Sequence, residues 1–296
     1  MNHYDILFIG HMSLGTVVPF EGSSFVEQGS PVLYSSIAAS CLGKRISAAT
    51  RISEEEDYLL EPMRDAGIHV FVQPGKIIRY RIVFPTANVD ERQAFYTEGP
   101  DDVMTINNIL PFEQCLVHLC WIGPRESQLD LMRALKAHGF PLSVDMQNFI
   151  FQADKETGIV HFRDVPEKKE IVGMADFVKL DAVEAKILTG ADTLQDQADI
   201  LESWGSSETI ITCSEGALAQ SNGKRMFAKF TNRRTLGRMG RGDTVMGSYL
   251  ARRLDHSMED SLRFAVALTS IKLESWGPFN GSVDDVIARM DSAIEG

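Results

Sequence analysis

Short β-type runs alternate with helical patterns along most of this chain, and that alternation constrains its fold more than any other feature. YDILFIG, IHVFV, CLVHLCWIG, FPLSVDM, ADFVKL and ETIITC read as strands, several of them apolar enough to be buried on both faces. Between them PVLYSSIAASCLG, ESQLDLMRALKAHG, DAVEAKILTG and TVMGSYLARRLD read as helices. The expected fold is therefore α/β: a doubly wound, mostly parallel sheet with helices on both faces. One stretch, KIIRYRIVFPTANVDERQAFYTEG, breaks the rhythm with two strand-like runs around a polar turn. It predicts a hairpin at about residues 76–99 that projects from the sheet as a small β-lid. No linker, repeat or low-complexity tract divides the 296 residues, so the lid is expected to lie within a single domain spanning 1–296.

Charge narrows the partners. A net charge of -12 gives an acidic surface that repels nucleic acid and anionic membranes, which leaves a small molecule as the expected ligand. The start, MNHYDILFIGHMS, has no basic region followed by a long apolar core, and no run approaches the roughly 20 apolar residues of a membrane span. A cytoplasmic location is the expectation. The 4 cysteines form no C-x-x-C pair and read as free thiols, and the 7 histidines show no metal-ligand spacing.

Three stretches have residue types suited to chemistry. GRMGRGD, Gly237 to Asp243, is a glycine-rich turn directly before a helix, where converging N–H groups and the helix dipole suit a phosphate or a developing anion. Asp243 there reads either as a plain helix N-cap after a flexible turn or as part of a phosphate-binding turn. The interval from Glu215 to Asp243 contains no other acidic residue but holds Lys224, Arg225, Lys229, Arg233, Arg234, Arg238 and Arg241, a cationic island in an acidic protein that suits a polyphosphate. In FVKLDAVEAKILTG, Asp181 and Glu184 stand at i and i+3 and read either as a capping box or as carboxylates for a hydrated magnesium ion. In GFPLSVDMQNFIF, Asp145 ends a strand, the edge of an open α/β sheet where ligands bind.

Taken together, with the glycine-aspartate turn late in the chain, the stretches resemble the ribokinase-like (PfkB) carbohydrate kinases, with a weaker similarity of SVDMQNFIF to the inositol kinase branch. Against that family's D-T-x-G-A-G-D-x-F-x-x-G, the chain matches at Gly240, Gly242, Asp243 and Gly247, has Arg241 for alanine, and has Gly237-Arg238 for Asp-Thr. Its N-x-x-E becomes Asp181-x-x-Glu184. IITCSEGALAQSNGK is similar to the nucleotide segment, shortened by one residue, and QGSPVLYSSIAASCLG to the early sugar-binding segment.

The resemblance implies an ATP-dependent kinase that phosphorylates a hydroxyl of a sugar or polyol, with magnesium as cofactor. Asp243 would be the base, and the N–H groups of Gly240, Arg241 and Gly242 the anion hole. Thr212, Ser214 and Gly216 would line the ATP site, Asp181 and Glu184 would hold the metal, and Ser13, Gly29, Ser30, Tyr34 and Asp145 would meet the substrate. Departures stand at the substrate end: Ser30 replaces a glycine, Tyr34 an asparagine, and Gly15 the aspartate that binds substrate hydroxyls in the family. A nucleoside kinase of the same fold and a catalytically silent nucleotide- or sugar-binding protein are the alternatives. A Rossmann oxidoreductase is disfavoured because GHMSLG after the first strand lacks the G-x-G-x-x-G spacing. Edge strands of the lid could join two subunits, which makes a homodimer a further expectation.

Overall fold

The computed structural model describes residues 3–86, 93–99, 104, 107, 113–120, 125–154 and 156–292. The strands, in chain order, are β1 (Ile6–Ile9), β2 (Ser13–Val18), β3 (Phe25–Gln28), β4 (Ile46–Ile52), β5 (His69–Pro74), β6 (Ile78–Val83), β7 (Gln93–Glu98) and β8 (Leu116–Leu119). They continue with β9 (Leu142–Asp145), β10 (Phe151–Ala153), β11 (Val160–Phe162), β12 (Phe177–Asp181), β13 (Glu208–Thr212), β14 (Gly216–Ser221) and β15 (Lys224–Lys229). The main sheet runs β15-β14-β13-β12-β9-β8-β1-β4-β5. From β13 to β5 every pairing is parallel, and β14 and β15 extend the sheet as antiparallel strands.

Alternation along β1 shows why the sheet is covered on both sides. Leu7 and Ile9 enter a core with the helices Arg125–Ala137, Lys168–Met174, Ala182–Thr189 and Leu194–Ser203. Ile6 and Phe8 enter the opposite core, with Pro31–Ser40, Arg241–Arg253 and Met258–Leu273. β4, ISAATRI, is fully buried too but built of small and polar residues, so it carries no apolar run of the kind that marks its neighbours.

The chain leaves the main sheet at Gly10, where a Cβ would lie 2.7 Å from the Cys120 carbonyl oxygen, so a side chain at this exit would clash. It then enters a second sheet ordered β3-β2-β6-β7. β6 and β7 pair antiparallel within the stretch expected to form a hairpin, while residues 87–92 of its turn lie outside the described residues. The second sheet is larger than a lone hairpin, because β2 and β3 add two strands to it.

The carboxyl ends of β9, β12 and β13 bring Asp145, Lys179, Asp181 and Thr212 to one edge of the main sheet. Helix Arg241–Arg253 starts beside them. Its Gly247 allows a close crossing of helix Pro31–Ser40, since a Cβ there would lie 2.0 Å from the Ser35 carbonyl oxygen.

Candidate active site

The glycine turn is rigid by construction. Gly240 is the helix N-cap with φ at +73°, a left-handed conformation that favours glycine, and a Cβ on it would come within 2.2 Å of the Tyr34 ring. Its carbonyl accepts from the Thr244 N–H at 2.8 Å and from the Thr244 hydroxyl at 2.7 Å. Below the turn, the fully buried Lys272 donates to the Gly237 carbonyl at 2.6 Å and to the Met239 carbonyl. Its ammonium also lies 4.8 Å over the Tyr34 ring.

This geometry removes the N-cap reading of Asp243. The cap is Gly240, and Asp243 sits inside the first turn of the helix. The anion hole also needs correcting: the Arg241 N–H is turned to the Arg238 carbonyl at 3.3 Å, while those of Gly240 and Gly242 meet no acceptor among the described residues. At a helix start these are the orphan donors that attract an anion.

Lys179 completes the turn from the sheet side. It projects from β12 and donates to the Asp145 carboxylate at 2.8 Å, both side chains being almost wholly buried. A Cβ on Gly242 would lie 2.9 Å from the Lys179 Nζ, so glycine at this position lets the ammonium sit against the helix start. Burial pushes the Asp243 carboxyl up to about 6, against the downward pull of Lys179 and Lys272 and with an upward push from Asp145. A carboxylate poised this close to neutrality is suited to taking up a proton.

Asp181 and Glu184 form a complete capping box. Asp181 Oδ1 accepts from the N–H groups of Val183 and Glu184 at 2.9 and 2.8 Å, and Glu184 Oε2 accepts from the Asp181 N–H at 2.7 Å. Each carboxylate keeps a second oxygen free of described hydrogen bonds. Burial raises the Glu184 carboxyl to about 8, with Lys179 opposing the rise.

Of the three residues expected at a nucleotide site, Thr212 lies near the turn, its Oγ1 3.7 Å from where a Gly242 Cβ would stand. Ser214 is exposed in the connection to β14, and Gly216 packs under β15, where a Cβ would meet the Ala228 carbonyl oxygen at 2.0 Å. The cationic island divides. Lys224 and Arg225 stand at the far end of β15, with Arg225 paired to Asp199 at 2.6 Å, whereas Arg238 and Arg241 flank Gly240.

At the substrate end, Ser13 is buried with its hydroxyl unpaired among the described residues, and Ser30 folds its hydroxyl back onto the His11 carbonyl at 2.7 Å. Tyr34 is fully buried and donates to the Gln28 carbonyl at 3.2 Å, so its ring forms packing beneath Gly240 and offers no polar atom to the cleft. Gly29 lies beneath Tyr80, whose hydroxyl contacts the Met239 sulfur at 3.9 Å. Sequence reasoning passed over Lys179 and Lys272. For Lys179 the signal was a lone charge inside the otherwise buried strand FVKL.

The model of the pfkB family carbohydrate kinases matches residues 35–284. The chain belongs to that family. The kinase is accordingly a phosphotransferase with a hydroxyl acceptor. The matched span contains the Asp145–Lys179–Asp243 cluster and begins after Gly15, Gly29 and Ser30, the region where the motif departures concentrate. A curated relative, "Cytidine kinase" of Thermococcus kodakarensis, is 25% identical over 290 residues, covering 94% of this chain and 99% of its own. Among solved structures, a sulfate complex of a pyrophosphate-dependent kinase in the ribokinase family superposes with a TM-score of 0.87 at 27% identity, over 96% of this chain and 99% of that one. A pyrophosphate-dependent kinase of that family with a pyrophosphate analog and myo-inositol gives 0.85 at 26% identity, over the same 96% and 99%.

Proposed function

We propose that this kinase transfers a phosphoryl group from pyrophosphate to a hydroxyl of a cyclic polyol of the inositol type. The observation that carries the transfer is Asp243, held in the first helical turn with its carboxyl raised to about 6 and the Lys179 ammonium against the adjacent Gly242. Asp243 takes the proton of the acceptor hydroxyl while that oxygen attacks the terminal phosphorus. The bond between that phosphorus and the bridging oxygen breaks, and orthophosphate leaves. The N–H groups of Gly240 and Gly242 and the Lys179 ammonium stabilise charge on the phosphoryl oxygens.

Charge at the turn favours pyrophosphate as donor. Relative to the family motif, this turn loses an aspartate and gains Arg238 and Arg241, which suits a donor consisting entirely of phosphate. ATP, the donor expected from the family resemblance, is the other reading. The likeness to a cytidine kinase similarly keeps a nucleoside acceptor as a second reading.

Asp181 and Glu184 fit a hydrated magnesium ion, because capping uses only one oxygen of each and a nearby cation would restore charge to the buried Glu184. When bound, such an ion would neutralise donor phosphates. The second sheet would act as a lid, with Tyr80 reaching Met239 in the turn.

The test is steady-state turnover with pyrophosphate or ATP crossed with myo-inositol or cytidine. Product formation from pyrophosphate and inositol at a kcat/KM above the other three combinations is expected. Turnover with ATP alone would overturn the donor reading, and turnover with cytidine alone the acceptor reading.

A further inference from the structure

The aspartate that the family motif calls for at position 15 is absent, yet the structure offers a carboxylate one strand away. Gly15 on β2 is in register with Glu27 on β3 at one side and with Tyr80 on β6 at the other. Residues in register across neighbouring strands project to the same face, so the three form one row across the second sheet. Tyr80 fills the space above the glycines: a Cβ at Gly15 would lie 2.1 Å from its ring, and one at Gly29 would lie 1.8 Å from its hydroxyl oxygen. No side chain can therefore stand at position 15 while Tyr80 lies there. The row faces the glycine turn, since the Tyr80 hydroxyl reaches the Met239 sulfur.

Glu27 carries a buried carboxylate oxygen, Oε1, without a partner among the described residues. Leaving a buried acceptor unpaired costs about as much as a lost hydrogen bond, so such an atom calls for an occupant that donates. Lys272 acts on Glu27 electrostatically, but the hydrogen bonds of its ammonium go to the Gly237 and Met239 carbonyls and it forms no ion pair with Glu27 among the described residues. Water-facing glutamates do not have this environment. A carboxylate with two acceptor oxygens matches two neighbouring hydroxyl donors, and a tyrosine ring alongside offers a flat apolar surface for the carbon skeleton.

We infer that Glu27 replaces the missing aspartate as the acceptor for substrate hydroxyls, and that its ligand is a vicinal diol lying against Tyr80. The assignment rests on the acceptor reading above, since both cyclic polyols and ribosides carry vicinal diols. Burial raises the Glu27 carboxyl above the usual carboxylate range against the pull of Lys272, and hydroxyls that donate to it favour its charged form.

The test uses the full-length kinase, its Glu27→Gln variant and the best acceptor from a panel of inositols, nucleosides and pentoses, with monodeoxy analogues of that acceptor. Glutamine keeps the shape but turns one acceptor oxygen into a donor. The acceptor KM is expected to rise about tenfold or more while the donor KM moves less than twofold. One monodeoxy analogue should lose affinity for the parent and be indifferent to the substitution, because the hydroxyl that Glu27 holds is already gone. Thermal melting establishes that the variant is folded, and Glu27→Asp, which keeps the charge, should recover part of the acceptor affinity. An unchanged acceptor KM in folded Glu27→Gln overturns the assignment, as does an equal rise in donor KM. A parent enzyme that phosphorylates no member of the panel instead overturns the acceptor reading itself.

Discussion

Lys179 and Asp145 form an ion pair at 2.8 Å with side chains only 5% and 3% exposed, at the carboxyl ends of neighbouring strands and directly under Gly242. A buried pair is tolerated because each charge solvates the other, and it becomes a liability once one partner is removed. Its position makes it more than a core contact, because Lys179 also lowers and Asp145 raises the carboxyl of Asp243.

Lys179→Met should therefore have two separable effects. An unpaired buried Asp145 costs about 3–5 kcal/mol, which thermal or denaturant melting will register. Loss of the cation also lifts Asp243 further, so the acid limb of the pH–kcat/KM profile should move to higher pH. A variant with a lower Tm and an unshifted acid limb would confine Lys179 to a structural role.

Asp243 titrates near 6, so activity that needs it ionised should fall as pH drops through about 6. Stability runs the other way. Its folded pKa is raised above the usual 3.8, so the protonated form favours folding, and that contribution is complete below about 3.8 and lost as pH rises through 6. Asp243→Asn removes the ionisable group without removing the shape. It should lower kcat by about 10² to 10⁴ while melting at or above the parental temperature at pH 7.5. Near-parental turnover in this variant would eliminate Asp243 as the base.

The motif glycines and Asp243 were legible because the turn has a composition that few other structures need. What the sequence left open at Asp243 was its role, since an aspartate near a helix start serves equally as cap or base until the backbone at Gly240 is seen. β4 was illegible because its burial depends on cover from both faces and not on its own hydrophobicity. Lys272 and Glu27 come from segments remote in sequence from the turn, and only the crossing of helix Met258–Leu273 beneath it and the β2–β3 register bring them to it. For Tyr34, substitution of the motif residue pointed to the substrate, whereas its buried ring supports the turn.

The capping box and the metal reading of Asp181 and Glu184 can be separated. Glutamine also serves at the third helical position of a capping box, so Glu184→Gln should leave Tm at or above the parental value while weakening the magnesium dependence of turnover. Asp181→Ala removes the cap acceptor and should cost about 1 kcal/mol of stability. If Glu184→Gln leaves the magnesium curve as unchanged as the Tm, the pair is a cap alone.

Lys272 offers the most direct test of whether rigidity of the glycine turn matters to catalysis. Its ammonium donates to the Gly237 and Met239 carbonyls from a fully buried position, and burial lowers its pKa to about 8 against the pull of Glu27 and Asp243. Because the folded pKa lies below the usual 10.5, the unfolded chain binds the extra proton between about 8 and 10.5. This group therefore adds stability as pH rises through that window. A neutral amine still has two N–H donors for two carbonyls, so alkaline pH removes the charge and keeps the turn. Lys272→Met removes both. It should cost about 1–3 kcal/mol for each carbonyl left without a donor, abolish the alkaline gain in Tm, raise the donor KM by loosening the turn, and move the acid limb of activity upward as Asp243 loses a neighbouring cation. Melting curves from pH 7 to 10.5 and pH–rate profiles on the same preparations measure all four. An unchanged donor KM together with an unshifted acid limb, in a variant whose Tm has fallen, would restrict Lys272 to holding the fold.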